Sequence, residues 1–286
     1  MSLEMCILAS GSSGNCTIVR SPRGILMIDA GLSPRATARR LEGTGVSLDQ
    51  IEAICLTHLD YDHFHQGWSQ YLERQRIRLF SAPRHRRAVL AQLGTAMAGL
   101  VHEIPPQPFE PVPGVQAHTI DLRHDEDGSC GFVLDSGSAR LGYATDLGRV
   151  PSQLIEAFAG VDLLAIESNY DPIMQLRSSR PQFLKSRIMG GRGHLSNHEA
   201  FAAVVRILDE SARRFSRLPS HVALLHRSRQ CNCPKLLRDL FLRDPRLVDR
   251  LILAEQHSRT DWISPGARQP LRGEQLALNW PASLRA

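Results

Sequence analysis

The sequence predicts a single α/β domain of packed β-sheets with helices on the outside, and two observations predict it. Short strands cluster near the N-terminus and later alternate with helices, the order expected when sheets form the inner layers. No short repeat, low-complexity tract or linker divides the 286 residues, a length that buries a sizeable core. The expected domain covers 1–257, and 258–286 is expected to be an extension docked through Trp262 and Trp280.

Taken in order, strands are expected over 4–9, 16–20 and 24–29, joined by Gly- and Ser-rich turns. Ser33 caps and Pro34 starts a helix that ends before Gly43. A strand over 51–56 follows, then a helix over 64–74, a strand over 77–81 and a helix from Pro83 to near Gly94. The proline-rich stretch 105–113 reads as a surface connection. Strands over 115–122, 131–134 and 139–145, a helix over 151–158 and a buried strand over 161–166 come next. Ser196 and Glu199 make a capping box that opens a long helix to about Arg213. A strand over 222–225, a helix over 234–242 and a strand over 251–254 complete the series.

Composition sets the setting. Hydrophobic residues make up 42% and charged residues 22%, as in an ordinary soluble globular protein. No run approaches a membrane span and no secretory signal is evident, so a cytoplasmic location is the expectation. The cysteines are scattered through apolar runs, which suits buried thiols rather than a disulfide framework. Cys231-Asn232-Cys233 has thiolate-ligand spacing but lacks a second pair, and is read as structural. The net charge is +5, carried almost wholly by arginine, the side chain that meets phosphate with a two-pronged fork. The arginines over 74–87 are read as a solvated basic face.

Chemistry concentrates in Thr57-His58-Leu59-Asp60-Tyr61-Asp62-His63, directly behind an apolar strand. Two imidazoles and two carboxylates on one turn offer the nitrogen and oxygen ligands of divalent cations. The alternative is a polar loop with surface histidines. His58, Asp146, Glu167 and His226 each stand at or just after a strand end, and His124 follows another, where rigid strands position functional groups. Their convergence favours the metal. Asp29 is expected behind a ligating imidazole, and 10–15 is expected to turn near the metals. His65, His85, His102, His118, His198, His221 and His257 are expected to be surface or satisfied core residues.

These segments resemble the metallo-β-lactamase superfamily, and within it the YycJ-type branch of metal-dependent phosphodiesterases and exonucleases. The resemblance spans most of the chain, through residues 8–15, 28–31, 58–63, His124-Asp125, Thr145-Asp146, 167–171, 193–197 and His226. It implies a four-layer αββα sandwich of two mixed β-sheets flanked by helices, with metals at one edge. It also implies that His58, Asp60 and His124 hold one divalent ion, that Asp62, His63 and His226 hold a second, and that Asp146 bridges them. Two such ions share one hydroxide and clamp a phosphodiester. Asp62, His194 and Glu167 are the implied catalytic groups, with Glu167 orienting His194 toward the scissile phosphate beside a positive helix end. The superfamily usually has histidine at position 60; the harder Asp60 shifts preference from zinc toward manganese or iron, or else points away and leaves one ion.

The leading expectation is a phosphodiesterase acting on DNA or RNA as a 5′ exonuclease, with Arg187, Arg192, Arg227 and Arg229 near the site. A cyclic or other small diester is the first alternative, since only about 80 residues separate Asp146 from His226, little room for a large clamp. A lactone or thioester hydrolase and a non-catalytic metal-binding module complete the set. Oligomeric state is not encoded in any of these features.

Overall fold

The computed structural model describes residues 3–266. Two mixed sheets lie face to face. The first has six strands in sequence order: β1 (Glu4–Ala9), β2 (Cys16–Arg20), β3 (Ile25–Ile28), β4 (Ala53–Cys55), β5 (Arg78–Ser81) and β6 (Val101–Glu103). The first three are antiparallel and the rest parallel. The second sheet has seven: β7 (Phe109–Val112), β8 (Val115–Leu122), β9 (Ser129–Asp135), β10 (Arg140–Ala144), β11 (Leu163–Glu167), β12 (His221–Leu225) and β13 (Leu251–Leu253). It repeats the plan, antiparallel through β10 and parallel from there.

The period of two along each strand builds the layers. In β1, Met5 and Ile7 face the core between the sheets, while Cys6 and Leu8 face the outer helices. Phe132, Leu134, Leu141 and Tyr143 of the second sheet meet them in the middle. Helices α1 (Pro34–Leu41), α2 (Trp68–Gln75) and α3 (Arg86–Leu93) cover the first sheet, with Trp68 and Leu72 wholly buried. Helices α4 (Ser152–Phe158), α7 (Asn197–Phe215) and α8 (Pro234–Phe241) cover the second, through Phe158, Val204, Leu208 and Phe241. The result is the four-layer αββα sandwich. Each apolar side chain of Leu or Phe size buried in these layers contributes about 1.5–3 kcal/mol.

Three segments depart from the sequence expectation. The stretch 105–113 carries edge strand β7, where Pro111 costs no ladder bond because one side of the strand is unpaired. β6 is a three-residue edge strand too short to show alternation. Two short helices, α5 (Pro172–Arg177) and α6 (Gln182–Met189), fill the stretch between β11 and α7 and cover the site. Residues 258–266 run back along the first sheet: Ile263 bridges Met5, and the Trp262 indole donates to the Thr44 carbonyl at 2.9 Å under the Arg20 guanidinium. Trp280 lies outside the described residues. Among them, no helix is long and apolar enough to cross a membrane.

Candidate metal centre

Parallel strands end together, and both sheets end at one rim. β4 delivers Thr57 and the ligand loop, β10 delivers Asp146, β11 ends in Glu167, and β12 is followed by His226. Asp29, Asp146 and His226 each take a left-handed turn at their strand end, with φ of 58°, 51° and 52°. Such a conformation costs a side-chain-bearing residue about 1–3 kcal/mol and re-aims the side chain across the rim. Asp and His are among the residues that tolerate it best.

The loops interlock through backbone. Asn15 N donates to the Asp62 carbonyl at 2.7 Å, Gly31 N to the Asn15 carbonyl at 2.9 Å, and Ala30 N to the His63 carbonyl at 2.7 Å. A Cβ at Gly31 would stand 1.8 Å from the Asp62 oxygen, so only glycine permits this approach.

On that frame the ligand atoms of Asp62, His63 and His226 lie within 4.8 Å of one another, and so do those of His58, Asp60 and His124. Asp146 stands between: its Oδ2 is 3.1 Å from His63 Nε2, and its Oδ1 is 3.1 Å from His226 Nδ1 and 4.0 Å from His124 Nε2. Asp60 turns toward the cluster, 3.7 Å from His58 Nε2. All seven expected ligands therefore meet in one place.

Outer partners fix the imidazoles. His63 Nδ1 meets Asp29 Oδ2 at 2.7 Å, and Asp29 Oδ1 accepts from Thr57 N at 2.8 Å. His58 Nδ1 meets Thr57 Oγ1 at 3.0 Å, and His124 Nδ1 meets the Gly193 carbonyl at 2.8 Å. The backbone of His226 is held on both sides, its N–H by Ser10 Oγ at 2.8 Å and its carbonyl by Asn169 Nδ2 at 2.7 Å. These contacts leave Nε2 of His58 and His124 for a ligand, while His63 Nε2 faces Asp146 Oδ2 at 3.1 Å and Asn15 Nδ2 at 2.9 Å.

The donor set fits divalent cations. Among the described residues, His58 Nε2 and His226 Nε2 are buried without a hydrogen-bond partner, a costly arrangement that a cation relieves. Buried Asp146 and Asp62 stand close enough to repel, and a cation neutralises both. Burial opposes charge on Asp146, yet the surrounding His226, His63 and His194 hold its carboxyl well below the usual range.

His194 and Glu167 form a separate pair beside this cluster. Glu167 is wholly buried; its Oε1 is 2.7 Å from His194 Nδ1 and 3.2 Å from His226 Nδ1, and its Oε2 accepts from Leu147 N and Leu195 N, each at 3.1 Å. His194 remains 20% exposed toward the cleft. The helix end after it is not a free phosphate site: Glu199 fills the first turn through the capping box, and Asn197 N donates to the Tyr170 carbonyl. Cys231-Asn232-Cys233 forms a corner, where Asn232 donates to the Ser168 and Asn169 carbonyls.

Three adjoining hollows run across the centre. The middle one, about 390 Å³, is lined by Asp62, Asp146, His194, His226 and Arg227. One neighbour, about 610 Å³, holds His58, Asp60, His124, Asp125, Arg187 and Arg192; the other, about 530 Å³, holds Ser12, Ser13, Arg180, Arg229 and Gln230. Sequence reasoning gave no role to Arg180, Thr57 or Asn169, and expected Asn15 only as part of a turn near the metals. It also placed His85 among satisfied residues, whereas His85 lines the 610 Å³ hollow with a buried, unpartnered Nε2.

Two sheets, a rim of histidines and carboxylates, and imidazoles locked from behind define a metal-dependent hydrolase acting on ester bonds. The family model for the beta-lactamase superfamily domain matches residues 25–215, and the chain belongs to that family. It is 23% identical to exodeoxyribonuclease YycJ of Bacillus anthracis over 83% of this chain and 87% of the relative. It is 25% identical to exodeoxyribonuclease WalJ of Streptococcus pneumoniae serotype 2 over 80% and 83%. Among solved structures, Zn²⁺-bound PqqB of Methylobacterium extorquens superposes with a TM-score of 0.66 at 18% identity, covering 90% of this chain and 99% of that one, a likeness of fold.

Proposed function

We propose that the chain hydrolyses phosphodiester bonds of nucleic acid, as an exonuclease working from 5′ ends with two divalent metal ions. The observation that carries the phosphodiester reading is the His194–Glu167 pair set 3.4 Å from Asp146, a proton donor fixed beside the ligand cluster. Hydrolysis of a lactone or thioester needs no such pair. The names of the YycJ and WalJ relatives support the exodeoxyribonuclease assignment.

His58, Asp60 and His124 would hold one ion and Asp62, His63 and His226 the other, with Asp146 facing both. Bound there, divalent ions acidify water and neutralise charge on phosphoryl oxygens. Asp60, as an oxygen ligand, favours manganese or iron over zinc. Asp62, its Oδ2 3.4 Å from His226 Nε2, orients the attacking water from the buried side. Glu167 fixes His194 through Nδ1, which leaves Nε2 to give a proton to the leaving oxygen as the P–O bond breaks.

Single-stranded DNA labelled at its 3′ end tests this reading. The expected products shorten stepwise from the 5′ end, and His194→Ala lowers kcat roughly 10²–10⁴-fold while leaving metal content unchanged. Internal cuts, or full activity in the variant, would contradict it.

A further inference from the structure

We propose that the cleft contains a nucleotide subsite next to the metal centre, in which Arg180 holds the phosphate adjacent to the scissile one and Tyr61 stacks on its base. The inference rests on the nucleic-acid reading above and names the part of the site that distinguishes a strand from a small diester.

Among the described residues, Arg180 is held only by neutral groups. Its Nε donates to Gln230 Oε1 at 3.1 Å, one terminal nitrogen to Gln175 Oε1 at 3.1 Å, and the other to Ser228 Oγ at 3.4 Å. Gln175 is wholly buried, and its side chain makes no other hydrogen bond among the described residues; its Nε2 has none. A buried amide thus serves one guanidinium. Other arginines are committed to carboxylates, as Arg187 is to Asp125, Arg84 to Asp121, and Arg246 to Asp244 and Asp209, or to backbone carbonyls away from the centre, as Arg40, Arg78 and Arg250 are. No carboxylate among the described residues pairs with Arg180. A guanidinium positioned by neutral oxygens keeps its charge for an incoming anion, and phosphate is the anion its fork fits.

Arg180 lies where that anion must pass. It lines both the middle hollow with the ligands and the outer 530 Å³ hollow, whose wall includes Arg229 and no carboxylate. Arg227 adds a buried, unpartnered Nε to the middle hollow. The opposite hollow sets four carboxylates, Asp60, Asp125, Glu126 and Asp127, against two arginines, Arg187 and Arg192, and Arg187 is already paired with Asp125, so it is the less favourable side for a second phosphate. The charged strand therefore leaves the centre on the Arg180 side.

Tyr61 supplies the base platform. It is 78% exposed, an unusual position for a large aromatic, and lines the same middle hollow as Arg180. Its hydroxyl donates to the Ser12 carbonyl at 3.2 Å, which pins the ring above the 10–15 turn. An anchored, exposed ring lining the same hollow as a guanidinium that no carboxylate neutralises is the pairing that single strands use, since every base has a face to stack.

The test is binding, read by fluorescence anisotropy of a phosphorothioate single-stranded oligonucleotide with the metal-loaded protein across a salt series. Arg180→Gln is expected to weaken binding about tenfold and to flatten the log–log salt slope by about 0.7, the contribution of one phosphate on a single strand. Tyr61→Leu is expected to weaken it about tenfold with the slope unchanged. Arg180→Lys keeps the charge and should keep the slope; loss as complete as in Arg180→Gln would show that charge is not the cause. Affinities of Arg180→Gln and Tyr61→Leu equal to that of the exposed control Arg206→Gln would overturn the subsite while the nucleic-acid reading stands. A wild type that cleaves a chromogenic diester yet binds no oligonucleotide would remove the nucleic-acid reading itself.

Discussion

The two ligand triads share Asp146 and one loop, yet they are built in opposite ways. Asp62, His63 and His226 are all buried, with His63 backed by Asp29 and His226 held by Ser10 and Asn169. In the other triad His58 and His124 are buried, but the Asp60 side chain is 49% exposed at the edge of the 610 Å³ hollow. Protonation divides them the other way. Burial works against charge on His226, but Asp146, Asp62 and Glu167 outweigh it and raise its pKa to about 10; Asp29 and Asp146 likewise raise His63. Burial lowers the pKa of His124, and the neighbouring His58 imidazole, 3.7 Å away, lowers that of Asp60 to about 2. The deep triad is rigid but holds protons that a metal must displace, whereas the shallow triad is ready to bind but has one loose ligand.

The largest expected consequence is on the fold itself. His63→Ala leaves Asp29 and Asp146 buried without their shared imidazole, and should destabilise the metal-free protein by about 3–5 kcal/mol. Asp60→Ala, at a half-exposed position, should cost less than about 1 kcal/mol. Urea unfolding of both variants checks the contrast, and equal losses would break it.

A smaller effect separates the triads by metal. Asp29→Asn should weaken the deep ion about 10–100-fold, the usual cost of disturbing an outer partner, and leave the shallow one unchanged. Titration of the metal-free variant with manganese against a competing chelator would show this as one shifted and one unshifted binding step.

Protonation gives the third distinction. A histidine whose pKa is raised on folding contributes stability that is complete below its unfolded value of 6.5 and is lost as pH rises through about 10. The metal-free protein should therefore lose thermal stability across that window, and the metal-loaded protein should not. Filling the deep triad near neutral pH should release more than about one proton per chain, measurable by calorimetry in buffers of different ionisation enthalpy. The smallest effect is one of preference: Asp60→His should move the shallow ion from manganese toward zinc by a few fold, on the order expected for one oxygen-to-nitrogen ligand change.

Much of this arrangement was legible from strand ends. His58, Asp146, Glu167 and His226 stand where an apolar strand stops, so the sequence marks both the residue and its rim. The supports were not legible: Asn15 and Asn169 reach His63 and His226 from loops dozens of residues away in sequence, Thr57 backs its own neighbour His58 with nothing to mark it, and polar side chains look alike until those loops meet. The left-handed turns at Asp146 and His226 leave no trace without a glycine. Strand β7 hid behind its prolines, and Arg180 lies between two short helices that have neither alternation nor a strong apolar stripe.

The central claim is that a metal centre around Asp146 hydrolyses phosphodiesters. The most direct measurement strips the protein of metal and follows hydrolysis of bis(p-nitrophenyl) phosphate as manganese or zinc is returned, for wild type and Asp146→Ala. The expected result is no turnover without metal, recovery that tracks occupancy in the wild type, and no recovery in the variant. A wild type that fills with metal and still leaves the diester intact, or a variant that recovers fully, would contradict the account.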